Sequence, residues 1–320
     1  MLRGGCLGCG LVLEHVVAVP RPAHPGDPVR PLIRWIAHAG LGAAHPDGTP
    51  TRASLHRAVL IGVDAVELDV CVTRDQQLVL RHEVRLPGRA RVRDLSLTEL
   101  RRRRPETLTL SEAVDQLDGR AEVLLDPKDP AATVSLGRWL KRRRHREHLM
   151  VCSSNRAVLL HLRDHAPRVE RWQSLPAVGG GRTRATVAVA RSLARSLVAG
   201  RGGSVMSELA RGAAAALDSP SAAAWHVVGS PWRRDLPLLI DRLSAGVSPA
   251  GMTIDHRLIS PELCSAAQRR GLPLVAWTIN AADHLYRAVE SGVRTVTTDR
   301  VVDMRLALEG FPAGLAAPTA

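Results

Sequence analysis

Beyond residue 31 the chain alternates short apolar runs with helix-length segments, and this alternation leaves few folds open. The runs Leu32–His38, Ala65–Val70, Ala121–Asp126, Leu149–Ser153, Arg168–Ser174, Gly251–Asp255, Pro273–Ile279 and Thr295–Thr298 are rich in Val, Ile and Leu, as strands buried on both faces are. Segments such as Thr51–Leu60, Ser111–Leu117, Ala131–Arg144, Pro261–Arg270 and Ala281–Glu290 have helical length between them, and Gly62, Gly271 and Gly292 sit where helices end. Strand–helix–strand repetition predicts a parallel sheet. Eight such units in about 270 residues predict a closed (β/α)8 TIM barrel over 32–310. One run breaks the repeat. Leu78–His82 follows the second strand after a turn too short for a parallel crossover, so it is expected to fold back as a β-hairpin extension.

Three segments fall outside this pattern. Residues 1–31, with a Pro-rich stretch from Pro20 to Pro31, read as an N-terminal linker, and 311–320 read as a tail. Gly179–Ser219 is Ala-, Arg- and Gly-rich and reads as a helical excursion between the fifth and sixth strands.

Composition narrows the function. Lys+Arg outnumber Asp+Glu by 44 to 31, a net charge of +13. That excess invites nucleic acid as a partner, but 6 Trp, 1 Tyr and 1 Phe supply almost no stacking platform. The runs Arg101–Arg104 and Lys141–Arg144 read as solvated helix faces, so no nucleic acid is expected. Five scattered cysteines make no disulfide framework, and Cys6 and Cys9 lack the second pair of a zinc site. With no apolar run of about 18–20 residues there is no transmembrane segment to expect, and no convincing signal peptide either. A cytoplasmic location is the resulting expectation.

In a parallel barrel the chemistry belongs at the C-terminal strand ends. Those ends carry His38, Glu67 and Asp69, Asp126 and Lys128, Asp255 or His256, Trp277 and Asn280, and Asp299, while the hairpin adds His82. Glu67 and Asp69 stand two apart on one strand and therefore share a face. Two such like charges invite either a hard, oxygen-seeking cation, Mg²⁺ or Ca²⁺ with Asp126 as third ligand, or arginine partners. His38 and His82 could serve as acid and base on a metal-bound phosphate. Lys128 is one of only two lysines, with Lys141, in a chain that otherwise uses Arg. A compact ammonium is therefore expected to matter there.

In sequence order the chain presents His38-Ala39-Gly40, Glu67-Leu68-Asp69-Val70, Thr73-Arg-Asp-Gln-Gln-Leu-Val-Leu-Arg-His82-Glu83 and Leu108-Thr-Leu-Ser-Glu112. It continues with Leu125-Asp126-Pro127-Lys128, Ala276-Trp277-Thr278-Ile279-Asn280 and Gly292-Val-Arg-Thr-Val-Thr-Thr-Asp299. This succession, from about Ile36 to Asp299, resembles the glycerophosphodiester phosphodiesterase family of phospholipase-C-like barrel enzymes. The resemblance implies a metal-dependent hydrolase that splits a small-molecule glycerophosphodiester into sn-glycerol 3-phosphate and an alcohol. It implies His38 and His82 as the catalytic acid–base pair and Glu67, Asp69 and Asp126 as metal ligands, with Lys128 and Trp277 on the substrate.

The departures are specific. The family opens with His-Arg-Gly, so Ala39 replaces an arginine that would grip phosphate. Thr49 stands where Glu-Asn-Thr would place its glutamate. Asp126 replaces the glutamate of Glu-Ile-Lys, and Glu83 the aspartate of a His-Asp pair. These changes leave two alternatives open. One is a catalytically weakened or silent barrel that binds a phosphorylated ligand. The other is a sphingomyelinase-D-like cleavage of phospholipid, since those relatives also use an Asp-x-Lys strand.

Overall fold

The structure is a computed structural model that describes residues 32–45, 48–88, 90–143, 148–175, 236–238, 240–241 and 243–310. The expected linker, tail and helical excursion lie outside the described residues.

Eight parallel strands close into the expected barrel. They are β1 (Arg34–Ala37), β2 (Ala65–Val72), β4 (Glu122–Pro127), β5 (Leu149–Ser153), β6 (Glu170–Ser174), β7 (Gly251–Asp255), β8 (Leu274–Trp277) and β9 (Thr295–Thr298). The hydrogen-bonded order runs β1-β9-β8-β7-β6-β5-β4-β2, and a further β1–β2 pairing closes the ring. β3 (Leu78–Leu80) is antiparallel to β2, pairing Val70 with Leu80 and Val72 with Leu78, so the hairpin extension stands as expected. The first strand stops at Ala37, earlier than the apolar run suggests, because Ala39, Gly40 and Leu41 take left-handed backbone angles with φ of 44°, 56° and 58°.

Around the barrel lie α1 (Arg52–Leu60), α2 (Leu97–Arg103), α3 (Leu110–Leu117), α4 (Ala132–Arg142), α5 (Arg156–His165), α6 (Pro261–Gln268), α7 (Ala282–Glu290) and α8 (Val301–Glu309). Their starts are written locally. Thr51 with Ser54, Ser96 with Glu99 and Thr109 with Glu112 each form a capping box that satisfies two otherwise orphaned N–H groups. Such caps are worth about 1 kcal/mol each.

Strand parity divides the core in two. Outward residues such as Val66, Leu68, Val123, Leu125, Val151 and Ile254 pack against helix residues such as Leu55, Leu136 and Leu162 in one continuous cluster. Inward residues Ile36, Ala65, Leu124, Met150, Trp172 and Val275 fill the barrel itself. Trp172 spans so much of that interior that a β-carbon on Gly251, its neighbour across β6–β7, would lie 2.3 Å from the indole. This plug closes the barrel beneath the strand ends. Every inward residue above it therefore faces the mouth.

Candidate active site

Register decides which strand ends meet. Ala37 pairs with Val66 and with Thr298, so His38 emerges between the β2 carboxylates and the residue that follows β9. Asp69 pairs with Asp126, which puts those two carboxylates side by side on adjacent strands.

The turn after β1 fixes the first histidine. The Ala39 N–H donates to Glu67 Oε2 at 2.9 Å. At Gly40 a β-carbon would come within 2.7 Å of Leu55 Cδ2 and 2.9 Å of Pro50 Cβ, so the left-handed turn admits no side chain. It directs His38 Nδ1 to Asp299 Oδ1 at 2.7 Å. Asn280 holds Asp299 in turn: its Nδ2 donates to Asp299 Oδ2 at 2.6 Å, and its Oδ1 accepts from the Asp299 N–H at 2.9 Å. With Nδ1 bound to the carboxylate, His38 keeps Nε2 for exchange with the site. Burial pushes the His38 pKa down, but the bond to Asp299 and the nearby Glu67 and Asp69 outweigh it and raise it to about 9.

Glu67, Asp69 and Asp126 each offer a carboxylate oxygen within 4.8 Å of the others. Burial, then repulsion from Asp69, raises the Glu67 pKa to about 8. Burial likewise pushes Asp126 above its ordinary range. Asp69 is also buried, yet Lys128 and His82 hold its pKa below the usual value. The Lys128 ammonium is the counter-charge, 2.5 Å from Asp126 Oδ2 and 2.8 Å from Asp69 Oδ1. The second contact is an ion pair outside hydrogen-bond alignment, which leaves Asp69 Oδ1 a buried acceptor with no hydrogen bond. Burial of three carboxyl groups in one cluster is what raises Glu67 and Asp126, and a cation placed among them would relieve it. Oxygen-only donors with an unsatisfied buried oxygen are what a hard divalent cation fits.

His82 reaches this cluster through the hairpin. The Arg81 N–H donates to the Asp69 carbonyl at 2.9 Å, which returns His82 to the level of the carboxylates. Its side chain is half-exposed, with Nδ1 3.2 Å from Glu83 Oε1, so Glu83 partners the histidine. Trp277 ends β8 half-buried, opposite Asp255 in register, and its carbonyl accepts from His256 Nδ1 at 3.3 Å. Ala39 is buried and brings only a methyl group to the place where the motif has a guanidinium.

All seven residues singled out from sequence thus lie at the C-terminal end of the barrel or on the hairpin returning to it. The linkage of Asp299 and Asn280 to His38 was not among those assignments. Its signal was available: in a closed barrel the last strand pairs with the first, so residues ending those two strands become neighbours.

The sequence model of the glycerophosphoryl diester phosphodiesterase family matches residues 38–174 and 211–303. No curated protein sequence matches the chain. Among solved structures, the chain is similar to an Oleispira antarctica phosphodiesterase in complex with the product sn-glycerol-3-phosphate, at 19% identity and a TM-score of 0.60, covering 87% of this chain and 97% of that one. A glycerophosphodiester phosphodiesterase from Parabacteroides distasonis is 15% identical with a TM-score of 0.60, covering 88% and 99%. One from Thermotoga maritima is 15% identical with a TM-score of 0.56, covering 86% and 98%. At these identities the structures establish the shared barrel.

Proposed function

The chain belongs to the glycerophosphoryl diester phosphodiesterase family, and on that premise we propose that it hydrolyses glycerophosphodiesters to sn-glycerol 3-phosphate and an alcohol. The observation that carries the proposal is the gathering of two histidines, three carboxylates and one ammonium around a single mouth.

Glu67, Asp69 and Asp126 would hold the divalent cation, which supplies Lewis-acid polarisation of the phosphoryl oxygen and charge neutralisation. Mg²⁺ and Ca²⁺, hard cations that take carboxylate oxygens, both suit this donor set. Lys128 stands between two of the carboxylates and adds positive charge where the phosphoryl group gains negative charge. His38, clamped through Nδ1 by Asp299, presents Nε2 in a fixed orientation. Its raised pKa favours the proton-bearing form, so it is assigned delivery of a proton to the leaving alkoxide. His82, beside Glu83, is assigned removal of the proton from the attacking oxygen. Trp277 supplies an apolar surface at the rim for the glycerol or alcohol portion.

A second reading has its own support. With Ala39 in place of the arginine, the phosphate lacks a bidentate clamp, which favours weak turnover or binding alone. Hydrolysis of glycerophosphocholine and glycerophosphoethanolamine, assayed with Ca²⁺ or Mg²⁺, separates the two. Turnover that falls about 100-fold or more in both His38→Ala and His82→Ala supports the enzyme. Turnover retained by both variants refutes the assignment. A folded protein that binds cation by calorimetry but gives no product supports the binding-only barrel.

A further inference from the structure

Of the basic run Lys141–Arg144, Arg142 and Arg143 line a groove of about 590 Å³ on the flank, between α3, α4 and the β2–β3 turn. We propose that this groove is a second ligand site, which takes a small phosphate-bearing dianion such as a phosphomonoester or a pyrophosphate group.

One wall is a single face of α4. Ser135, Arg138, Trp139 and Arg142 recur at helical spacing, so their side chains stand in one stripe. Arg138 and Arg142 are four residues apart, where like charges repel. Neither has a hydrogen bond or ion pair among the described residues, and no carboxylate lines the groove. Repulsion without internal relief is a cost that a bound dianion would remove. The guanidinium fork suits this role, because it meets phosphate oxygens through two parallel hydrogen bonds.

The groove is also held open by its own contacts. The Trp139 indole N–H donates to Ser111 Oγ at 2.8 Å, which ties α4 to α3. Arg143 lies over the same indole at 4.8 Å and reaches Asp115 at 2.7 Å, which braces the far end. Ser135 Oγ donates to Gln76 Oε1 at 2.7 Å, so the Gln76 amide nitrogen keeps both protons to give. The volume lies in the range of about 300–1,000 Å³ common to small-molecule sites. A prearranged, acid-free wall of guanidinium and neutral donors matches a tetrahedral oxyanion. None of its lining residues belongs to the barrel mouth.

The test is a calorimetric titration of the full chain with pyrophosphate, in EDTA and at low salt. It is run on the wild type, on R138Q/R142Q and on Lys128→Met, with melting temperatures taken beforehand to establish that each is folded. Pyrophosphate affinity is expected to fall at least tenfold in R138Q/R142Q and to survive in Lys128→Met. Equal binding by wild type and R138Q/R142Q overturns the proposal. So does its complete loss in Lys128→Met, which would place all the binding at the barrel mouth. Binding of heparin but not of pyrophosphate overturns it as well, by marking a general polyanion surface.

Discussion

Replacing Asp299 by Asn changes one atom's charge and leaves the shape of the His38 clamp intact. In the wild type the His38 pKa stands at about 9 against an ordinary 6.5. The difference, 9 − 6.5 = 2.5 pH units, corresponds to about 3.4 kcal/mol at about 1.36 kcal/mol per unit. With 32% of the His38 side chain exposed, solvent screening removes on the order of half of this, leaving about 1.5–2 kcal/mol. The sign follows from linkage. A histidine whose pKa rises on folding adds stability that is full below pH 6.5 and disappears as pH climbs through about 9. Asp299 shares this rise with Glu67 and Asp69, so Asp299→Asn is expected to lose on the order of 1 kcal/mol at pH 6 and much less at pH 9.5, measured by urea unfolding in EDTA. The carboxamide would also donate to Nδ1, which moves the ring proton to Nε2. Turnover should then fall by about 100-fold or more, the scale of a lost acid–base contribution. An equal stability loss at pH 6 and pH 9.5 would refute the argument, because the effect would then not come from the charge on His38.

Two further perturbations probe the carboxylates and the plug. In Glu67→Gln the buried like charge beside Asp69 is gone, so the cation-free protein should be as stable as the wild type or more so above pH 8. Glu67 titrates at about 8 against an ordinary 4.5, so its native form binds the extra proton in that interval and the wild type loses stability as pH rises through it. Ca²⁺ is expected to raise the melting temperature of the wild type and not of this variant, and an equal increase in both would remove Glu67 from the proposed cation site. Gly251→Ala would force a methyl group to within 2.3 Å of Trp172. An overpacking cost of about 1–3 kcal/mol is expected in chemical unfolding, and no loss would mean that the indole does not fill the barrel as described.

Much of this protein was legible in its sequence because the governing signals are local. Period-two parity along Val66-Glu67-Leu68-Asp69-Val70 puts the apolar residues outward and both acids inward, whatever the rest of the chain does. The hairpin was readable from the length of the Thr73–Gln77 turn. What escaped were relations between distant residues. Lys128 was expected on the substrate, but nothing local says that it stands between Asp69 and Asp126. The arginines of α4 read as a solvated face, since a sequence does not say what stands opposite a helix.

By itself, then, the sequence determined the eight strands through their apolar runs, the shared face of Glu67 and Asp69 through a period of two, and the residue types at the strand ends. Only the tertiary structure decided which of those residues touch. His38 and Asp299, 261 residues apart, meet because barrel closure sets the first strand beside the last. Asp69 and Asp126 share one ammonium because strand register, which no single strand encodes, sets them side by side.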